Sequence, residues 1–173
     1  MEHIPNELHG HTVASNAYFT LMACDDGEGF VHCGDAVLVV PLTDDGQVLM
    51  AVEYSPAFNK DVLVLVGGST EPGEALEETA NRELQEELGW RAERIDYLGE
   101  IHLSKYITSR QFVFLARDLL PSKLVGDEHY PIGMRWVPLD TFVDLCASGE
   151  LQSAPSIAAL CLAQNFLRSE QAG

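Results

Sequence analysis

Three glutamates, Glu83, Glu86 and Glu87, crowd the end of a stretch that reads GGSTEPGEALEETANRELQEELGW from Gly67 to Trp90. On a helix turning about 100° per residue they cover an arc of roughly 100°. Like charges three and four apart each weaken a helix by a few tenths of a kcal/mol. These acids also fall in the last two turns, at the negative end of the helix dipole. Arg82 alone does not neutralise three of them. A hard divalent cation does, because Mg²⁺ takes oxygen ligands and commonly shares them with substrate phosphates. For a Glu-rich helix taken by itself, an ordinary solvated acidic face is the alternative.

Positioning such carboxylates requires a shaped turn and an anchored helix. Asp61 to Val66, ending in the apolar run Leu63 to Val66, reads as a buried strand, followed by the paired Gly67-Gly68 and a loop with Pro72 and Gly73. Gly, Pro, Ser and Thr together mark a tight turn. Helix formers dominate from Glu74 onward, and Gly89 supplies a left-handed stop. Leu76, Ala80, Leu84 and Leu88 recur every four residues, one apolar stripe for a core.

The full spacing is more specific than any of its parts. Gly68, Glu74, Arg82, Glu83, Leu84, Glu86, Glu87, Gly89 and Trp90 occupy nine positions of a 23-residue window. That pattern, G-x5-E-x7-R-E-U-x-E-E-x-G-U with U apolar, resembles the signature of the Nudix hydrolases. Beyond it, VEYS (Val52 to Ser55), ANRELQEELG (Ala80 to Gly89) and DLLPSKLVGDE (Asp118 to Glu128) are similar to the ADP-ribose pyrophosphatase and ADP compounds hydrolase branch. Two places depart from that branch. Ser104-Lys105-Tyr106 stands where a proline is usual, and Val64-Leu65-Val66 where a Glu or Pro is usual.

The resemblance implies hydrolysis of a nucleoside diphosphate linked to another group, by attack of water on a phosphorus. ADP-ribose, NADH, a dinucleoside polyphosphate or a nucleotide sugar would fit. It implies Mg²⁺, with Mn²⁺ as a substitute, held by Glu83, Glu86, Glu87 and the backbone carbonyl of Gly67. It also implies that Arg82 orients a carboxylate by a charge-assisted hydrogen bond. Glu74 either clamps the loop to the helix or reaches the metal through water. The general base is expected at Glu128, in a loop outside the motif, with Glu83 as the alternative; His102 and His129 are weaker candidates near the phosphates. Arg110, Glu53 and Tyr54 are the candidate substrate contacts. Cleavage of nucleoside triphosphates or capped RNA is the competing activity, and a non-catalytic nucleotide sensor the competing class.

The rest of the chain bounds these readings. At 173 residues it suits one domain with a small appendage. A net charge of −17, from 10 Lys+Arg against 27 Asp+Glu, argues against nucleic acid or an anionic membrane as partner. Cys24, Cys33, Cys146 and Cys161 show no zinc spacing, and reduced thiols point to the cytoplasm. No apolar run is long enough to span a bilayer. The expected partner is a small nucleotide, and the expected assembly a homodimer.

In order along the chain, a loose polar arm over residues 1–11 precedes strands at Thr12 to Ala23 and Phe30 to Cys33. Residues 1–33 thus form an N-terminal β segment that is a candidate dimerisation layer, and residues 34–173 the Nudix domain. Asp35 to Leu42 and Gln47 to Glu53, around Thr43-Asp44-Asp45-Gly46, predict a hairpin. Ile95 to Leu103, Gln111 to Ala116 and Met134 to Val137 predict further strands. Arg117 to Pro131 reads as irregular. Asp140 is the expected cap of a short helix, and Ser153 or Ser156 of a last one reaching Arg168. Mixed strands with helices on both sides make an α/β/α sandwich, an α/β fold that the Nudix resemblance implies as well.

Overall fold

A strand whose successive residues are all apolar has to be covered on both faces. Val37, Val39, Leu38 and Val40 are all buried, and so are Val48, Leu49, Met50 and Ala51. Alternation sends Val37, Val39, Leu49 and Ala51 into one core with Ala80, Leu84 and Leu88. It sends Leu38, Val40, Val48 and Met50 into a second core with Phe142, Leu151, Ala159, Leu160 and Ala163. Helices cover both faces, and the molecule is the expected α/β/α sandwich.

The computed structural model describes residues 10–71, 73–126 and 130–172. Its strands are β1 (His11–Ser15), β2 (Phe19–Ala23), β3 (Gly29–Cys33), β4 (Ala36–Pro41), β5 (Gln47–Ser55), β6 (Lys60–Val64), β7 (Trp90–His102), β8 (Arg110–Pro121) and β9 (Gly133–Pro138). Helix α1 (Leu76–Glu83) runs into a π-helical turn at Leu84–Leu88, and α2 (Phe142–Ser148) and α3 (Ala154–Ala172) close the chain. The strands order as β1-β2-β3, β4-β8-β7 and β6-β5-β9. The pairing of β4 with β8 is parallel and the other ladders are antiparallel, so the layer is mixed. No helix is long and apolar enough to cross a membrane among the described residues.

Several expected elements are redrawn. Thr12 to Ala23 is two strands, because the Asn16 side-chain oxygen accepts from the N–H groups of Tyr18 (2.8 Å) and Phe19 (2.9 Å) and turns the chain. β4 and β5 are not a hairpin: they meet only at a Leu42–Val48 bridge. One edge of β4 is taken by β8 and the other by the segment after β6, at Val39–Val66 and Ala36–Ser69. β8 continues to Pro121 against Trp90, which shortens the expected irregular stretch. Thr141, not Asp140, precedes α2, and Ser153 meets the start of α3 through its hydroxyl, 3.4 Å from the Ser156 N–H.

The edge bridges matter because they hold the Gly67–Glu74 loop against β4 at a fixed register. Helix α1 is tied from its other side by Asn81. Its side-chain amide donates to Ala92 O (3.0 Å) and its side-chain oxygen accepts from Ala92 N–H (2.8 Å), completing the edge of β7. Ala92 is buried, so Asn81→Ala strands two backbone groups. It should cost about 2 kcal/mol in urea unfolding; a loss under about 0.5 kcal/mol would contradict this account of how α1 is docked.

Candidate active site

Helix α1 begins at a weak cap. Ala75 has no side-chain acceptor to offer, and the Glu78 carboxylate reaches back to its N–H at 3.2 Å. The stronger anchor is Glu74, which accepts from the Glu71 N–H (3.2 Å), the Thr79 hydroxyl (2.8 Å) and Arg82. Arg82 approaches it as a fork, Nε to Oε1 at 2.9 Å and Nη2 to Oε2 at 3.0 Å. That pairing lowers the Glu74 carboxyl from the usual 4.5 to about 2, helped by Thr79 and the Glu71 N–H. Glu74 thus clamps the loop to the helix start.

The same guanidinium reaches three further acceptors. Nη1 donates to Glu83 Oε1 (2.8 Å) and Glu86 Oε2 (3.1 Å), and Nη2 to the Ser69 carbonyl (3.1 Å). Glu74 is the largest cause of its raised pKa. Arg82 thus ties loop, helix start and two of the three late carboxylates to one planar cation. Glu83 is buried, with 8% of its surface exposed. A Cβ on Gly68 would collide with the Glu83 carboxylate, so the glycine is what lets that side chain lie against the loop. Gly89, at φ 73°, ends the π-helical turn in the left-handed region as expected.

Among the described residues, no three His, Cys, Asp or Glu side chains converge as a ready-made metal cage. Arg82 draws Glu83 and Glu86 toward itself instead. The donor set nonetheless fits a hard divalent cation. Glu83, Glu86 and Glu87 offer only oxygens, Glu87 Oε2 is buried, and Gly68 leaves the Glu83 carboxylate room beside the backbone. Val66 and Gly68 turn their carbonyls to the Val39 and Val37 N–H groups, both at 2.9 Å. Alternation therefore turns the Gly67 carbonyl away from β4.

The candidate substrate contacts separate. Glu53 follows Leu49 and Ala51 in the alternation of β5 and shares their α1 face. Tyr54 takes the opposite face, with its hydroxyl 2.7 Å from Asn59 Oδ1 and its ring 5.3 Å from that of Tyr130. Arg110 is bound to Asp35 through Nε (3.0 Å) and Nη2 (2.5 Å) and lies over the Phe112 ring. Burial opposes ionisation of Asp35, and the Arg110 hydrogen bonds outweigh it and lower its pKa. Ala36, next to Asp35, bridges Ser69 on one side and pairs with Gln111 on the other. That places Arg110 two strand spacings from the loop, roughly 10 Å. His102 is exposed and pairs with Glu100 at 3.2 Å. Glu128 and His129 lie outside the described residues.

A cavity of about 490 Å³ lies elsewhere, between β6 and the start of α3, lined in part by Phe58, Lys60, Leu63 and Gln152. It holds none of the carboxylates discussed. Ser122 and Lys123, to which the sequence assigns no role, fold onto the end of the π-helical turn, and no local signal announces it, since their partners lie 36 and 37 residues earlier.

Comparison with known proteins agrees with this fold. Residues 33–160 match the NUDIX domain. The chain is 32% identical over 178 residues to the ADP compounds hydrolase NudE of Escherichia coli (strain K12), covering 96% of this chain and 95% of that protein. It is 30% identical over 128 residues to the ADP-ribose pyrophosphatase of Bacillus subtilis (strain 168), covering 72% of this chain and 69% of that one. A solved structure, the crystal structure of an ADP compounds hydrolase, superposes with a TM-score of 0.79 at 30% identity over 94% of each chain. A signature helix clamped by its own arginine, on this sandwich and with these relatives, makes the chain a member of the Nudix family and a pyrophosphohydrolase.

Proposed function

We propose that the chain hydrolyses the pyrophosphate bond of ADP-linked compounds, such as ADP-ribose, NADH or a dinucleoside polyphosphate, or of a nucleotide sugar, and releases a mononucleotide. The observation that carries this is the Arg82 network, which holds Glu83 and Glu86 beside the Ser69 carbonyl of the preceding loop. The names of the relatives support ADP as the nucleotide half.

Glu83, Glu86, Glu87 and the Gly67 carbonyl are the proposed ligands of a divalent cation, with Mg²⁺ resident and Mn²⁺ able to replace it. What such a cation supplies is neutralisation of phosphate charge and a lower pKa for attacking water. The protein's own part is placement. Arg82 orients Glu83 and Glu86, and Glu74 keeps Arg82 in register with the loop. Glu53, on the α1 face, is a substrate contact. Arg110 is a second one, through the exposed face of a guanidinium whose charge Asp35 already offsets. Tyr54 acts at the far face, with Tyr130. Glu128 is the proposed base that takes the proton from water, and Glu83 the alternative.

A homodimer built on the N-terminal layer, residues 1–33, completes the proposal. All five residues of β1 are exposed, and Tyr18, Phe19 and Leu21 show 75%, 50% and 41% of their surface. Such a face suits a second copy.

Two measurements check these assignments. With Mg²⁺ or Mn²⁺, a panel of ADP-ribose, NADH, diadenosine polyphosphates, nucleotide sugars, nucleoside triphosphates and capped RNA should yield mononucleotide from the ADP-linked members. Glu87→Gln should abolish turnover, and Glu128→Gln should lower kcat by about 10²–10⁴ with Mn²⁺ affinity unchanged. Turnover of triphosphates alone would replace the substrate, an indifferent Glu87→Gln would remove the metal assignment, and an indifferent Glu128→Gln would return the base to Glu83. In sedimentation equilibrium the protein should run at twice its 19.0 kDa, and Leu21→Glu should shift it toward one copy. A wild-type monomer at micromolar concentration would dismiss the N-terminal layer as an interface.

A further inference from the structure

The helix that carries the carboxylates ends badly by its own chemistry. Its last carbonyls lack partners within the helix, its dipole is negative there, and Glu86 and Glu87 add charge of the same sign. Arg82 sits at the other end of this group, one turn earlier.

A segment from the end of β8 closes that terminus. The Ser122 N–H donates to Gly89 O at 2.8 Å, the Leu124 N–H to Gln85 O at 3.2 Å, and the Ser122 hydroxyl to Gln85 Oε1 at 2.9 Å. Gln85 in turn donates to Asn81 O at 3.0 Å, so the strap is joined to the body of α1. Between these two residues Lys123 lays its aliphatic stem across Gly89, where a Cβ would come within 3.3 Å of Cδ. Its ammonium donates to the carbonyls of Glu86 and, at 3.3 Å, of Glu87. A compact ammonium with three donors suits two adjacent carbonyls better than a planar fork does. Both acceptors are neutral, so the positive charge of Lys123 is left to act on the carboxylates of those same two residues.

We propose that Lys123 is a positioning residue for the metal-binding carboxylates, capping the Glu86 and Glu87 carbonyls and setting the turn from which the two side chains project. The proposal rests on the reading of Glu83, Glu86 and Glu87 as cation ligands. Its effect is on cation affinity, because Lys123 bonds to the backbone of the two residues that carry the carboxylates.

The test is Mn²⁺ binding, followed by electron paramagnetic resonance, to the full-length wild type, Lys123→Met and Lys123→Arg, each checked for folding by its thermal melt. Lys123→Met keeps the stem and removes the charge, and should weaken Mn²⁺ binding roughly tenfold, with the KM for nucleotide unchanged at saturating metal. Lys123→Arg keeps the charge with a poorer fit to the two carbonyls, and should bind Mn²⁺ between Lys123→Met and the wild type. Should Lys123→Met melt below the assay temperature, the comparison passes to Lys123→Gln, which keeps a donor without charge and should show the same weakening. An Mn²⁺ affinity within twofold of wild type in Lys123→Met or Lys123→Gln overturns the proposal. A wild type that binds no Mn²⁺ overturns the metal reading beneath it, and this inference with it.

Discussion

One guanidinium organises the site. Arg82 donates to Glu74, Glu83, Glu86 and the Ser69 carbonyl at distances of 2.8–3.1 Å. Without it, three acids within five residues would repel one another and the partial charges at the end of their own helix. With it, repulsion becomes orientation, because each carboxylate that bonds to the planar fork has its direction set. Glu74 has the complementary task. It holds two edges of the fork, and through the Thr79 hydroxyl and the Glu71 N–H it joins loop and helix into one piece.

The sandwich exists, for this purpose, to keep that piece still. β4 presents one edge to β8 and the other to Val66 and Ser69, so the loop entering α1 is bonded to a central strand rather than hung from it. Ala80, Leu84 and Leu88 press the helix on the same strand's Val37 and Val39. Asn81 and the Ser122–Leu124 strap hold the sides that hydrophobic packing leaves loose. The helix that carries the carboxylates is therefore held through the loop that enters it, its apolar stripe, Asn81 and the strap.

Much of this was legible because local chemistry coincides with local spacing. The stripe from Leu76 to Leu88, the stop at Gly89 and the acids at Glu83, Glu86 and Glu87 are all written within one window. Elements that depend on distant partners were not. The turn at Thr43–Gly46 carries a sound hairpin signal, and the turn does close, with Gly46 N–H on Thr43 O at 3.0 Å. The strands still separate, because β4 finds both of its partners elsewhere in the chain. Tyr54 adjoins Glu53 in sequence, yet strand alternation puts the two on opposite faces. Lys123 is invisible for the same reason: its partners precede it by 36 and 37 residues. The π-helical turn has no composition to announce it, since Leu, Gln and Glu suit an α-helix equally well.

The central proposal is that a divalent cation binds at Glu83 and Glu87 while Arg82 keeps its hold on Glu74. Crystals grown with Mn²⁺ and a non-hydrolysable methylene analogue of ADP-ribose test it directly, by anomalous scattering at the manganese edge. The account predicts an anomalous peak within ligand distance of Glu83 and Glu87, with the Arg82–Glu74 fork intact. Manganese bound away from those carboxylates, or bound only after Arg82 has released Glu74, would contradict it.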